Sequence, residues 1–212
     1  MRRFTPDPMG TARCVLAVGL MLSWRASAAD DWTCLWEFTG AGPFGSSSPA
    51  VVADGRVYVA ADGLRDEVGR FTNSARLYAV NPDGTGRWSR LTAYGAASAP
   101  SVGADGAVYV AIADSEWSDG ILYAFGADGS PRWEFYEAAA NAAGVAIGRD
   151  DAVYVNSPGG VLVALDPAGT PRWSFLMPGV VPGYHPAGVP RRPAAAADGT
   201  LYAGAHDGLV HA

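Results

Sequence analysis

The side chains able to do chemistry here are Asp, His and Cys, and their spacing gives most of them structural work. Asp54, Asp105 and Asp198 each precede a Gly, as do Asp83 and Asp128. Converging carboxylates could run acid–base catalysis or hold calcium. Asp-Gly between alternating apolar residues, however, is a hairpin signal, and a type I′ turn takes positive φ at both central positions. These aspartates are therefore assigned to turns, and no catalytic residue is assigned. His185, His206 and His211 fall in separate contexts and read as loop or surface side chains, so no metal site is assigned. No Gly-x-Ser-x-Gly, His-Glu-x-x-His or P-loop occurs. Asp83 and Gly84 are adjacent, which breaks the sialidase-type Asp-x-Gly-x-x-Trp box. The two cysteines, Cys14 and Cys34, make neither a disulfide scaffold nor a zinc cluster.

The elements that position these residues begin with an address. Arg2, Arg3 and Arg13 form a positive region, Cys14 to Trp24 is an apolar run, and Ala26-Ser27-Ala28 follows. This is the three-part layout of a secretory signal peptide over residues 1–28. The run is shorter than the roughly 20 residues a membrane span needs. Cleavage after Ala28 leaves a chain that does not span a membrane, placed in the periplasm or secreted. The leader holds four Arg and one Asp, leaving 11 basic and 20 acidic residues, a net charge of −9. All basic residues are Arg and form no stripe, so nucleic acid is not expected as a partner. Cys34 is then the one remaining thiol, and its place between Trp32 and Trp36 points to burial.

The mature chain repeats. Ala53 to Ala60, Ala104 to Ala111, Arg149 to Asn156 and Ala197 to Gly204 align, with Tyr58, Tyr109, Tyr154 and Tyr202 in register at separations of 51, 45 and 48. A second block follows the first three: Leu77 to Trp88, Leu122 to Trp133 and Leu162 to Trp173, with 11 positions from Leu to Trp each time. The fourth copy stops at Leu209-Val-His-Ala212. Each repeat reads as four short strands, A to D. Strand C is almost wholly apolar, as expected when both faces are covered. A single four-stranded unit cannot cover two faces, so units must stack, and a period of about 40–50 residues points to a β-propeller. The expected fold is all-β, with four-stranded antiparallel blades at about 48–92, 98–137 and 142–176, a partial blade at 191–212, and a lone strand D at 32–38.

The repeat resembles that of the PQQ-like family, which includes quinoprotein dehydrogenases and the outer-membrane assembly propeller lipoprotein. The carriers are Val57-Tyr58-Val59, Leu77-Tyr78-Ala79-Val80-Asn81 and Trp88, with their equivalents in the next two copies. The resemblance implies that Trp88, Trp133 and Trp173, together with Trp36 in the lone strand, dock between adjacent blades. The Ala79-to-Trp88 spacing is one residue shorter than in the quinoprotein docking motif, and the turn is Asp-Gly-Thr. That favours the broad PQQ-like group over true quinoprotein enzymes.

The lone strand D and the blade without a D sum to one blade. Either the N-terminal strand closes a four-bladed ring, or the chain is an arc of a larger one, cut short at Ala212. Two half-rings pairing to eight blades is a third arrangement. Function is expected on the rim loops. Trp117, in the acidic loop Asp114 to Asp119, is a candidate interaction anchor. Tyr184 and His185 lie in the Pro/Gly connector Leu176 to Pro190 and join the candidate surface. The reading is an exported, non-enzymatic protein-interaction or scaffolding module, with an unidentified partner in the cell envelope and no cofactor. One alternative is a fragment of a PQQ- and calcium-dependent quinoprotein-like oxidoreductase. The other is a glycan-binding or hydrolytic propeller.

Overall fold

A computed structural model of the chain describes residues 20–26, 32–44, 47–64, 66–67, 72–113, 120–137, 144–156, 160–178, 192–204 and 207–212. Every described element is a strand. The first blade runs β3 (Ala50–Val51), β4 (Val57–Ala61), β5 (Ser74–Val80) and β6 (Gly86–Tyr94), as an antiparallel meander in that order. The second uses β9 (Val108–Ala113), β10 (Gly120–Phe125) and β11 (Pro131–Glu137), with strand A split into β7 (Ala96–Ala97) and β8 (Ser101–Val102), both paired with β9. Pro100 interrupts that strand, and the Ser98 hydroxyl takes over by accepting from Ala111 N at 3.0 Å. The third blade is β12 (Val145–Ile147), β13 (Val153–Asn156), β14 (Val161–Leu165) and β15 (Pro171–Leu176). The last has three strands, β16 (Ala194–Ala195), β17 (Leu201–Gly204) and β18 (Val210–His211). This is the expected all-β propeller architecture.

Strand alternation explains how the blades stack. On β4, Tyr58 and Ala60 join a core with Val108, Val110 and Ile112 of the second blade. Val57, Val59 and Ala61 face the other way and pack with Trp36, Phe38 and Phe44. On β9 the alternate residues Tyr109 and Ala111 face Val145, Val153 and Val155 of the third blade. Each inner strand is thus buried on both faces, and each Val or Tyr so buried contributes about 1.5–3 kcal/mol. The described core thins towards the C-terminus, where Leu162, Met177 and Ala203 form a small buried cluster between the third and fourth sheets.

The Asp-Gly turns differ from the expected type I′. In the first, Val52 N donates to Arg56 O (3.0 Å) and Gly55 N to Val52 O (2.9 Å). Only Gly55 is left-handed, with φ 82°. This is a type I turn followed by a left-handed Gly, the common three-residue hairpin. The reason is the Asp side chain: Asp54 Oδ1 accepts from Arg56 N at 3.0 Å, which caps the turn. The same cap recurs at Asp83, Asp105, Asp128, Asp198 and Asp207.

The N-terminal segment also departs from expectation. Trp32–Thr39 is a strand, β2, but it does not close a ring with β18. Among the described residues it pairs with β1 (Leu20–Ala26). Five residues of the expected apolar leader run, Leu20–Trp24, therefore lie in a strand. The sheets remain an open arc.

Candidate interaction surfaces

The tryptophans expected at the blade junctions occupy one repeated geometry. Trp88 Nε1–H donates to Ala127 O of the second blade (3.0 Å), and Trp133 Nε1–H to Pro167 O of the third (2.9 Å). Trp36, on β2, donates in the same way to Pro82 O of the first blade (3.0 Å). Each Trp side chain packs against the Gly two residues beyond its acceptor. A Cβ on Gly84, Gly129 or Gly169 would come within 2.6–2.7 Å of the facing indole. These glycines also sit at φ 82–86°. The turn thus needs Gly twice, for its backbone angle and for the ring above it. In the three full blades the Trp also packs against the repeat's Tyr: Tyr58–Trp88, Tyr109–Trp133 and Tyr154–Trp173 have ring centroids 5.7–5.9 Å apart.

Trp173 differs from the other three. It keeps its Tyr neighbour but lies 44% exposed on β15, a strand exposed along its whole length. Phe175 is 51% exposed, whereas Phe135, its equivalent in the second blade, is 9% exposed. Leu176, Tyr202, Leu209 and Val210 extend this apolar end of the arc.

A second surface carries the A–B turns. An open groove of about 640 Å³ runs between the first strands of blades one and two, lined by Asp54, Arg56, Tyr58, Ser101, Ala104 and Arg192 among others. Arg56 is held there by Asp54 (2.6 Å) and donates to the Tyr58 hydroxyl (3.0 Å). In blades two and three the matching carboxylates, Asp105 and Asp150, pair with Arg132 and Arg172 of strand D. The Arg132 hydrogen bond holds the Asp105 carboxyl below the usual range, and the Arg172 hydrogen bond does the same for Asp150. Asp54 is lowered first by the backbone N–H of Arg56, and Asp83 and Asp128 by the hydroxyls of Thr85 and Ser130. Each of these shifts favours the carboxylate, so these groups act as turn caps and ion-pair partners rather than proton donors. Burial pushes the Tyr58 and Tyr109 phenols up, and that of Tyr123 up to about 12.

Asp151 was not singled out by the sequence reading. It stands where the other A–B turns have Gly and adopts φ 55°, the one left-handed non-Gly among the described residues. Its carboxylate reaches across the junction and accepts from Ala104 N at 2.8 Å. The signal was there: the third repeat reads Asp150-Asp151 where the others read Asp-Gly. Trp117, Tyr184 and His185, the candidate rim residues, lie outside the described residues, as does most of the expected leader. No group of three His, Cys, Asp or Glu converges on a metal-binding geometry among the described residues, and no described helix is long and apolar enough to cross a membrane.

A model of the family described as outer membrane protein assembly factor BamB matches residues 23–210. The chain belongs to this family. No curated protein sequence matches it. Among solved structures, BBS1N, crystallised in complex with ARL6DN, superposes with a TM-score of 0.59 at 15% identity, over 92% of this chain and 58% of its own. Quinohemoprotein alcohol dehydrogenase ADHIIG from Pseudomonas putida HK5 gives 0.52 at 17% identity, over 89% and 38%. BamB from Moraxella catarrhalis gives 0.37 at 17% identity, over 84% and 62%. The chain thus spans less than two thirds of each of these proteins. At these identities the first two superpositions establish the propeller fold and nothing finer.

Proposed function

We propose that this protein is an exported, non-enzymatic propeller module that binds or scaffolds other proteins in the cell envelope. Family membership over residues 23–210 carries the reading. The use of the chemistry-bearing positions that recur in the repeats agrees with it: the aspartates cap turns and pair with Arg, and the tryptophans sit at blade junctions. BBS1N, a protein of the same fold, is known bound to another protein, ARL6DN. Export rests on the leader pattern of residues 1–28.

The likeness to a quinohemoprotein alcohol dehydrogenase keeps a second reading in view, a fragment of a PQQ-dependent oxidoreductase. The turn aspartates favour the first reading. Asp54, Asp83, Asp105 and Asp128 are committed to backbone N–H groups of their own turns. One experiment separates the readings. A photo-crosslinking residue at position 117 of the exported chain should capture a discrete envelope protein in fixed ratio. The same preparation with PQQ and calcium should show no dye-linked alcohol oxidation. Alcohol oxidation would reverse the proposal.

A further inference from the structure

The inner strands of neighbouring blades are tied together at one junction and parted at two. Between blades two and three, the Ser101 hydroxyl donates to Val145 O at 2.6 Å, and the Asp151 carboxylate accepts from Ala104 N at 2.8 Å. Strand register identifies the counterparts of these two side chains elsewhere. Ser101 pairs with Tyr109, as Ala50 does with Tyr58 and Ala146 with Tyr154. Asp151 holds the turn position that is Gly106 in blade two and Gly199 in the fourth sheet. Neither Ala nor Gly has a side chain that can bridge, and a groove opens at both of those junctions. It is about 640 Å³ between blades one and two, and about 460 Å³ between the third and fourth sheets. The counterpart of Ala104 in blade one is Ala53, and Ala53 and Gly106 both line the larger groove. That groove also carries positive charge. Arg56 stands where blades two and three have Ala107 and Ala152. Arg192 reaches the same groove and forms no ion pair among the described residues. Two arginines and one aspartate thus line a groove on a chain whose formal net charge is −6.

We propose that the larger groove takes an Asp or Glu side chain from an extended segment of a partner protein, seated where Asp151 sits at the next junction. This names the partner chemistry for the protein-binding role proposed above, and it rests on that reading. The molecule supplies its own precedent, because Asp151 shows which group the backbone N–H at this turn accepts as a partner. A carboxylate in the equivalent place has Ala53 N as its donor and Arg56 and Arg192 as cations in the same groove. Hydrogen bonds to an ionised group are shorter and stronger than neutral ones. The two walls are residues 48–53 and 99–104, each about 20 Å long when extended, and Val51 is 68% exposed on one of them. Walls of that length suit a peptide segment rather than a small acid. Pro49 and Pro100 each remove a backbone donor from a wall, so capture of the side chain, not continuous strand pairing, sets the binding.

The test uses the full chain and a short dye-labelled peptide of alternating Gly and Asp, read by fluorescence anisotropy. The peptide should bind, and its analogue with Asn in place of Asp should not. Gly106→Asp gives the groove a carboxylate of its own at the position of Asp151. It should weaken binding by about tenfold or more, Arg192→Ala by about threefold to tenfold, and Gly199→Asp, the same change at the smaller groove, by less than about twofold. Arg192 is exposed, so its variant carries the test if Gly106→Asp does not fold. Succinate should not displace the labelled peptide at concentrations where the unlabelled peptide does. The proposal is overturned by a peptide that does not bind, by equal affinity for the Asn analogue, or by folded Gly106→Asp and Arg192→Ala variants that bind as the unsubstituted chain does. Equal loss in Gly199→Asp and Gly106→Asp overturns it too, and displacement by succinate would assign the groove to a small acid instead. Crosslinking at position 117 separates the two failures: capture there without peptide binding sinks the groove alone, whereas the loss of both sinks the protein-binding role as well.

Discussion

Replacing Gly169 by Ala tests whether the indole rows hold the blades together. Gly169 has φ 86°, and an added Cβ would lie 2.6 Å from the Trp133 ring. Two costs follow. An L-residue in the left-handed region costs about 1–2 kcal/mol. Forcing a ring aside in a packed junction costs about 1–3 kcal/mol more. Gly199→Ala provides the comparison, since Gly199 has φ 92° but nothing within 4 Å of the added Cβ. It should show the backbone cost alone. For a chain of this size, 1 kcal/mol moves Tm by about 2–4 °C. The clash should therefore separate the two variants by about 2–12 °C. The decisive measurement is a double-mutant cycle in urea, followed by tryptophan fluorescence and far-UV dichroism. In a Trp133→Ala background the clash has no target, so Gly169→Ala should fall to about 1–2 kcal/mol, leaving a coupling of about 1–3 kcal/mol. Additive effects would refute the reasoning, because the indole and the turn would then not bear on each other.

Three further expectations follow from the same geometry. Trp133→Ala loses a bond to Pro167 O and contacts over Gly169, and should cost about 3 kcal/mol by urea denaturation; Trp173→Ala, at the open end, should cost about 1 kcal/mol or less in the monomeric chain, and an equal cost would contradict the docking geometry. Asp151→Ala keeps the left-handed strain and loses the bond from Ala104 N, whereas Asp151→Gly relieves the strain, so by thermal melting Gly should be the more stable of the two by about 1 kcal/mol. Stability should fall at both ends of the pH range. Asp105 and Asp150 have folded pKa values below their unfolded ones, so their contribution is present above about pH 3.9 and is lost as pH falls further. Tyr58, Tyr109 and Tyr123 are raised, so theirs is full below about pH 10 and is lost as pH rises towards the folded values. Urea midpoints across that range should form a plateau between the two limits, and a maximum outside it would show that other groups control stability.

The repeat was legible because its signals are local. The Leu-to-Trp block fixes strands C and D and the turn between them, and the Tyr-Val pattern fixes strand B. Two faces of buried residues on one strand then require stacked sheets. The turn type was less legible. Asp-Gly admits two hairpin geometries, and the choice lies in where the carboxylate points, which the dipeptide does not encode. The bridges between blades other than those of the tryptophans were not legible. Asp151 reaching Ala104, or Arg90 reaching the carbonyl of Gly129, needs the distance between blades, and no periodicity reports that.

The segment before β2 shows why sequence signals can overlap. Residues 20–26 satisfy the closing part of an export leader, apolar and then small. The same residues satisfy strand C, apolar with a small residue opposite the docking Trp: Ser23 stands where Ala79, Ala124 and Ala164 stand. The structure shows the strand role: β1 pairs with β2 from Leu20↔Thr39 to Ala26↔Trp32, and the family match begins inside it, at residue 23. An apolar run followed by small residues thus carries two meanings, and what separates them is the partner strand, which lies outside the run itself.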